Sequence, residues 1–449
     1  MKQLIHNAII INRGKRFLGY VEIENEFITN VGEGKPSPQL IEEYGTDATN
    51  LHENWLIPGV IDSHVHFRDP GLTHKADIES ESRAAVAGGV TSYFDMPNTK
   101  PPTLSMADID AKAANAAEKS LANYAFYIGA STDNLEELKN ADYTRIPGIK
   151  LFLGSSTGNM AVSSEKSLDS IFTLGRLVSV HCEDQAIIDS NSSAIKALYG
   201  NNDVPVEWHP EIRSAIACYS STLAAIKRAK RFGTRLHICH LSTAEELRLI
   251  DEANDCNITA EACVAHLWFC DEDYTLSGTK IKCNPAVKSS HHRNALRQAL
   301  TSGKIKVVST DHAPHTLEEK HGDCFTAPSG MPMVQFSLRV MLRLSAEGYL
   351  TPEDVVQLMC HNQADMFGID RRGYIDKGFY ADLVEVNPQG TDIPITNHEV
   401  ISKCGWTPIA GTTLPTTVER TWINGSLAYH IGEFAAESHA LPLRFKVSE

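Results

Sequence analysis

The 449-residue sequence has no C-x-x-C pair. Its 10 cysteines are scattered at irregular spacing and read as reduced, mostly buried residues of a cytoplasmic protein. An excess of positive charge is also missing. Lys and Arg number 41 against 56 Asp and Glu, a formal net charge of −15. That balance argues against a nucleic-acid or anionic-membrane partner, but it allows a small anionic substrate held by a few local cations. The start of the chain offers only a short apolar run, neither a secretory signal nor long enough to span a bilayer. Low-complexity linkers and internal repeats are lacking as well. What remains is a chain long enough for a large core and more than one structural unit. Its class is a cytoplasmic enzyme or carrier of a small molecule.

Through the middle of the chain one pattern recurs: a short β-branched apolar run ends in polar residues, and an amphipathic stretch follows. Strands are expected at residues 56–67, 91–96, 124–130, 148–154, 177–181, 235–240, 257–266 and 304–310. Helices are expected at 75–87, 106–121, 215–231, 244–254, 291–301 and 333–346. This alternation implies a parallel sheet with right-handed crossovers. Eight units over about 300 residues point to a closed (β/α)8 TIM barrel, with an open doubly wound sheet as the alternative. The two ends differ from the middle. Residues 1–55 hold short alternating runs, and the tail holds two more, at 383–386 and 418–423, before an Asn424-Gly425 turn. Neither end buries both faces of a sheet alone. Residues 1–55 plus 378–449 are therefore expected to build one small β-sandwich domain beside a catalytic barrel of residues 56–377.

Barrels place their active sites at the C-terminal ends of their strands. The first strand carries His64-Val65-His66. Alternate strand positions point the same way, so both imidazoles can face the mouth and chelate one ion; the alternative is a pair of hydrogen-bonded rim histidines. Recurrence favours the ligand reading. Strand four carries Lys150, strand five ends at His181, strand six holds His237 and His240, and strand eight ends at Asp311. Buried ionisable groups are costly unless paired or coordinated. A lysine among metal ligands would repel cations unless CO₂ converts it to a carbamate, an anionic bridge between two divalent ions. The alternative pairs Lys150 with Asp311 or Glu183. Two ions sharing a bridging hydroxide would supply a nucleophile at neutral pH and polarise a carbonyl. Asp311 would bind one ion and use its second oxygen to carry the proton from nucleophile to leaving nitrogen. The donor set suits Zn²⁺, though other first-row ions fit it too.

The strings HVHFRDPG (64–71), DMPNT (95–99), IKLF (149–152), VHCED (180–184), HICHLST (237–243), KCNPAV (282–287) and STDHAPH (309–315) resemble the amidohydrolase superfamily. Within it they are most similar to the long-chain bacterial dihydroorotases, and the resemblance runs over nearly the whole chain. It implies that His64, His66 and Asp311 hold the more buried ion and that His181 and His240 hold the other, bridged by carboxylated Lys150. His240 is taken as the ligand because it directly precedes Leu-Ser, which leaves His237 a core or supporting role. Arg68, Asn98 and His315 would hold a substrate carboxylate, to which a guanidinium with amide and imidazole donors is suited. Asn284 would contact the substrate, and His66, Ser329 and Gly330 would line its site. Some long-chain dihydroorotases use an aspartate near the lysine position; here none lies between Lys150 and Asp169. Two places depart from many relatives. Ala327-Pro328-Ser329-Gly330 stands for Ala-Pro-Phe-Gly, and the stretch before His266 lacks the first histidine of a pair.

The implied activity is reversible, zinc-dependent hydrolysis of (S)-dihydroorotate to N-carbamoyl-L-aspartate, a step of pyrimidine synthesis, carried out by a homodimer. Arg68 favours a carboxylate-bearing substrate over the neutral rings of hydantoinases, dihydropyrimidinases and allantoinases. A non-catalytic scaffold of the same fold is the third reading, and the full set of candidate ligands speaks against it. Residues 315–332, rich in Gly and Pro, are expected above the site as a lid or a static wall.

Overall fold

The computed structural model describes residues 2–154, 160–253, 255 and 257–446. Its central strands are the near-continuous apolar runs that a sheet covered on both faces requires. They are Val60–Val65 (β1), Val90–Asp95 (β2), Asn123–Phe126 continued as Ile128–Gly129 (β3) and Ile149–Phe152 (β4). Val178–His181 (β5), Leu236–Ile238 (β6), Ile258–Cys263 (β7) and Val307–Ser309 (β8) follow. All residues of these strands are buried except the half-buried Thr259. The strands pair in parallel and in chain order. Closure comes at β1 and β8. Val65 bridges His312 in parallel, and His66 N donates to His312 O at 2.7 Å. The buried Asp62 carboxylate ties the same seam, accepting from Thr310 Oγ1 at 2.6 Å and Thr310 N at 3.2 Å. The sheet is thus a closed (β/α)8 barrel, and the open doubly wound alternative is excluded.

Two expected strands are broken in ways that matter for the site. The run 56–67 is two strands: Trp55–Pro58 joins the terminal sheet, and only β1 belongs to the barrel. Gly59 makes the break, since a Cβ there would lie 2.0 Å from Thr91 Oγ1. The run 257–266 is β7 followed by the short helix Val264–Trp268, which carries His266. The helix expected over 244–254 runs Ala244–Ala253, and Asn254 lies outside the described residues.

Strands from both termini form one nine-stranded sheet in which Trp55–Pro58 lies between Lys2–Asn12 and Leu383–Asn387. Two-residue turns with positive φ set its hairpins: Arg13-Gly14 (52° and 68°) and Asn424-Gly425 (48° and 77°). Ile5, Val21, Leu56, Leu383 and Trp422 belong to a cluster separate from the barrel core. The junction with the barrel is polar. Asp382 pairs with Arg372, accepts from Asn123 Nδ2 of β3 at 3.1 Å and from Asn424 N at 2.8 Å, and all four residues are buried. Removing one partner strands a buried guanidinium. Asp382→Ala should therefore destabilise the chain by about 3–5 kcal/mol, read as a lower denaturant midpoint. Among the described residues, the nine cysteines are free and no helix is long and apolar enough to cross a membrane.

Candidate metal centre and substrate pocket

The C-terminal mouth of the barrel opens into a cavity. All six expected metal ligands line it: His64, His66, Lys150, His181, His240 and Asp311. Arg68, Asn98, Asn284, Ser329 and Gly330 line it too, while His315 sits behind Arg68. These side chains come from strand ends and the loops just beyond them, as a closed barrel dictates. Arg68, His240 and Asp311 have φ of 67°, 41° and 50°. Such backbone conformations are costly for non-glycine residues and persist where the surroundings enforce them.

His64 and His66 alternate across Val65 and converge on one carboxylate. Asp311 Oδ1 lies 3.0 Å from His66 Nε2 and 3.4 Å from His64 Nε2. Burial alone would raise the Asp311 carboxyl, but His64 and His66 outweigh it and hold it at about 2. Burial pushes His66 down to about 4, with Asp311 opposing. One donor atom from each of these three residues fits within 4.8 Å, the compactness that a single ion requires.

The second group is Lys150, His181 and His240. Among the described residues, Lys150 Nζ reaches Cys239 Sγ, at 3.1 Å, and the ring face of Phe152. It forms no ion pair with Asp311 or Glu183. His181 Nδ1 and His240 Nε2 face each other at 2.9 Å. His240 Nδ1 is buried without a hydrogen-bond partner, and burial with His181 beside it drives the ring well below the usual imidazole range. These two neutral imidazoles with unsatisfied nitrogens are donors that fit a divalent cation; Lys150, which forms no ion pair among the described residues, is not a donor as an ammonium.

Glu261 and Arg213, which the sequence does not single out, stand behind these side chains together with Glu183. Glu261 of β7, buried, accepts from His64 Nδ1 at 2.8 Å and from His240 N at 3.0 Å. This carboxylate fixes the His64 tautomer that turns Nε2 to the cavity. His237, expected in a core or supporting role, is buried with its Nε2 3.8 Å from the other Glu261 oxygen and without a hydrogen bond to it. Glu183 Oε2 lies 3.0 Å from His181 Nε2, off the line of a hydrogen bond, and pairs with Arg213. Burial would raise the Glu183 carboxyl, but Arg213 and His181 bring it down to about 2. The only sequence signal for Glu261 is a carboxylate within an apolar strand. Glu261→Gln should weaken metal affinity about ten- to a hundredfold, measured by zinc titration of the apoprotein. Unchanged affinity would reduce Glu261 to packing.

At the other end of the cavity lies Arg68. It is 4% exposed, and burial pulls its guanidinium down to about 10. Its Nε donates to Pro314 O at 3.1 Å and its Nη2 lies 3.2 Å from His315 Nε2, yet no carboxylate pairs with it among the described residues. His66 Nδ1 donates to Asn98 Oδ1 at 2.8 Å, which leaves the Asn98 amide nitrogen for another partner. His266, by contrast, faces Pro285 O at 2.9 Å and lies outside the cavity lining.

The sequence profile of the amidohydrolase family matches residues 55–428, the span that contains all six of these cavity side chains. The chain belongs to the amidohydrolase family. It is thus a hydrolase of a family that is generally metal-dependent, and His64, His66 and Asp311 form a group able to hold an ion. Dihydroorotases recur among this amidohydrolase's relatives. One from Halobacterium salinarum is 37% identical over 363 residues, covering 79% of this chain and 82% of that protein. An allantoinase of Streptomyces avermitilis is 30% identical over 404 residues, covering 87% and 88%. The L-hydantoinase of Arthrobacter aurescens superposes with a TM-score of 0.89 at 24% identity, over 97% of this chain and 98% of that one. At that identity the likeness concerns the fold alone.

Proposed function

We propose that this amidohydrolase is a zinc-dependent dihydroorotase, which reversibly hydrolyses the cyclic amide of (S)-dihydroorotate to N-carbamoyl-L-aspartate in pyrimidine synthesis. The observation that carries the reading is the buried Arg68 guanidinium, which lines the cavity without a paired carboxylate among the described residues. A buried cation is costly unless neutralised, and a substrate carboxylate at that position would neutralise it in fork geometry. A neutral ring would leave it unpaired.

His64, His66 and Asp311 would hold one zinc ion, and His181 with His240 the second, with Lys150 carboxylated on Nζ between them. Bound zinc supplies Lewis acidity at the scissile carbonyl and lowers the pKa of water. The chain's own residues do the rest. Asp311 turns Oδ1 to the two imidazoles, while its Oδ2 makes no hydrogen bond among the described residues. That oxygen accepts the proton of the attacking water and returns it to the leaving nitrogen. Arg68 and the Asn98 amide nitrogen, which makes no hydrogen bond among the described residues, hold the substrate carboxylate, while His315, expected beside them, lies outside the cavity lining and braces Arg68 Nη2 from behind at 3.2 Å. Asn284, Ser329 and Gly330 wall the ring, with the Ser329 side chain in place of a phenyl group. The reading includes a cytoplasmic homodimer without nucleic-acid or membrane partners, its catalytic unit spanning residues 56–377. Free cysteines fit that reducing compartment.

The test is turnover of dihydroorotate, allantoin, hydantoin and dihydrouracil by the zinc-loaded protein. Allantoin is included because of the allantoinase relative. Dihydroorotate should be the preferred substrate. Efficient turnover of a neutral ring with none of dihydroorotate would replace this reading by an allantoinase or hydantoinase.

A further inference from the structure

Lys320 is 1% exposed, yet no carboxylate pairs with it among the described residues. Its Nζ instead donates to three backbone carbonyls: Pro328 at 2.8 Å, Gly330 at 3.0 Å and Lys282 at 3.2 Å. An ammonium has three protons, so each finds an acceptor. These acceptors belong to two separate walls of the cavity. Pro328 and Gly330 bracket Ser329 in the segment after β8, and Lys282 stands two residues before Asn284 in the segment after β7. Ser329, Gly330 and Asn284 all line the cavity.

A second buried lysine crosses the same gap in the opposite direction, Lys282 Nζ donating to Ala327 O. Gly330 N also donates to Lys282 O at 2.8 Å. On its other side the wall has no slack: Gly330 has φ 135°, and a Cβ there would meet Ala313 O at 2.5 Å. Trp406 Nε1 donates to His315 O at 2.7 Å and holds the start of the segment. Residues 327–330 are thus tied to the segment after β7, and His315 to Trp406. Packing alone does not account for Lys320, because a methionine would fill similar space without the cost of burying a cation.

We propose that Lys320 is a positioning residue for substrate binding: its ammonium staples the two walls together and so fixes the Asn284, Ser329 and Gly330 contacts to the bound ring. This rests on the cavity being the cyclic-amide site, not on which cyclic amide it takes. Burial brings the ammonium down to about 7; Cys283 opposes this, while Lys282 and Arg68 add to it. Among the described residues, those three, with His315 across the segment, are the titratable and charged groups that face it. A neutral amine keeps two protons for three carbonyls and turns a lone pair toward the third, so the staple loosens as pH rises.

The test uses the zinc-loaded full chain with whichever of dihydroorotate, allantoin or hydantoin it turns over. Lys320→Met should raise KM about tenfold with kcat changed by less than about threefold and bound zinc unchanged, and Lys320→Arg should recover most of the KM. A folded Lys320→Met with wild-type KM, or with kcat lost at constant KM, overturns the proposal. Should that variant fail to fold, the wild-type profile decides. KM should rise between pH about 6 and about 9 at steady kcat, and the rise should vanish in Lys320→Arg. A flat wild-type KM, or a rise unchanged in the arginine variant, overturns it. Absence of dihydroorotate turnover with activity on another ring would end the proposed function and leave this test intact.

Discussion

Asp311→Asn should lower kcat by about three to four orders of magnitude with little change in melting temperature. The substitution is isosteric, so the β8 end keeps its shape and an oxygen still faces His66 and His64, 3.0 and 3.4 Å from the carboxylate oxygen in the parent. Two things change. The group loses the negative charge that balances two imidazoles in a buried site, and the atom at Oδ2 becomes an amide nitrogen unable to accept a proton. Proton transfer and one ligand interaction fail together, which is why the loss exceeds that of a general base alone. The check is steady-state kcat beside zinc content and a melting curve. Near-normal turnover in a zinc-loaded variant would remove Asp311 from the mechanism.

Lys150→Ala should lose zinc and nearly all activity, and short carboxylic acids such as acetate should restore part of both. Lys150 sits in the middle of buried β4, and its Nζ contacts the Cys239 thiol and the Phe152 ring rather than Asp311 or Glu183. An ammonium in that position repels cations, whereas a carbamate supplies the anionic oxygens that His181 and His240 lack. Truncation leaves a gap that a small carboxylate fills with the same charge and two oxygens. Zinc per subunit and kcat, measured with and without acetate, separate the outcomes. A variant that retains both metals and full activity would leave carboxylation of Lys150 without support.

Much of this site was legible before the fold was seen, because a barrel gathers strand ends and the chemistry stands at strand ends. His64 and His66 follow from the two-residue period, and Lys150 stands out as a charge in an apolar run. His181, His240 and Asp311 each close such a run. What stayed hidden acts through space. Glu261 lies 197 positions from His64 along the chain and looks like any isolated carboxylate in a strand. Arg213 and Lys320 have no local pattern, since their partners are set by how loops pack. The break between Trp55–Pro58 and β1 was written in Pro58-Gly59, a turn dipeptide inside an apolar run. An apolar run also continued past β7 into Val264–Trp268, where the strand gives way to a helix, and hydrophobicity alone does not separate the two. Asn98 shows the same limit in its role: read as a substrate ligand, it also orients His66 through its Oδ1.

Anomalous diffraction from crystals grown with zinc, recorded on both sides of the zinc edge, tests the central claim most directly. The account predicts two zinc peaks in the cavity, one beside His64, His66 and Asp311 and the other beside His181 and His240, with branched density extending from Lys150 Nζ between them. No zinc peak at these side chains, together with an unmodified Lys150, would contradict it.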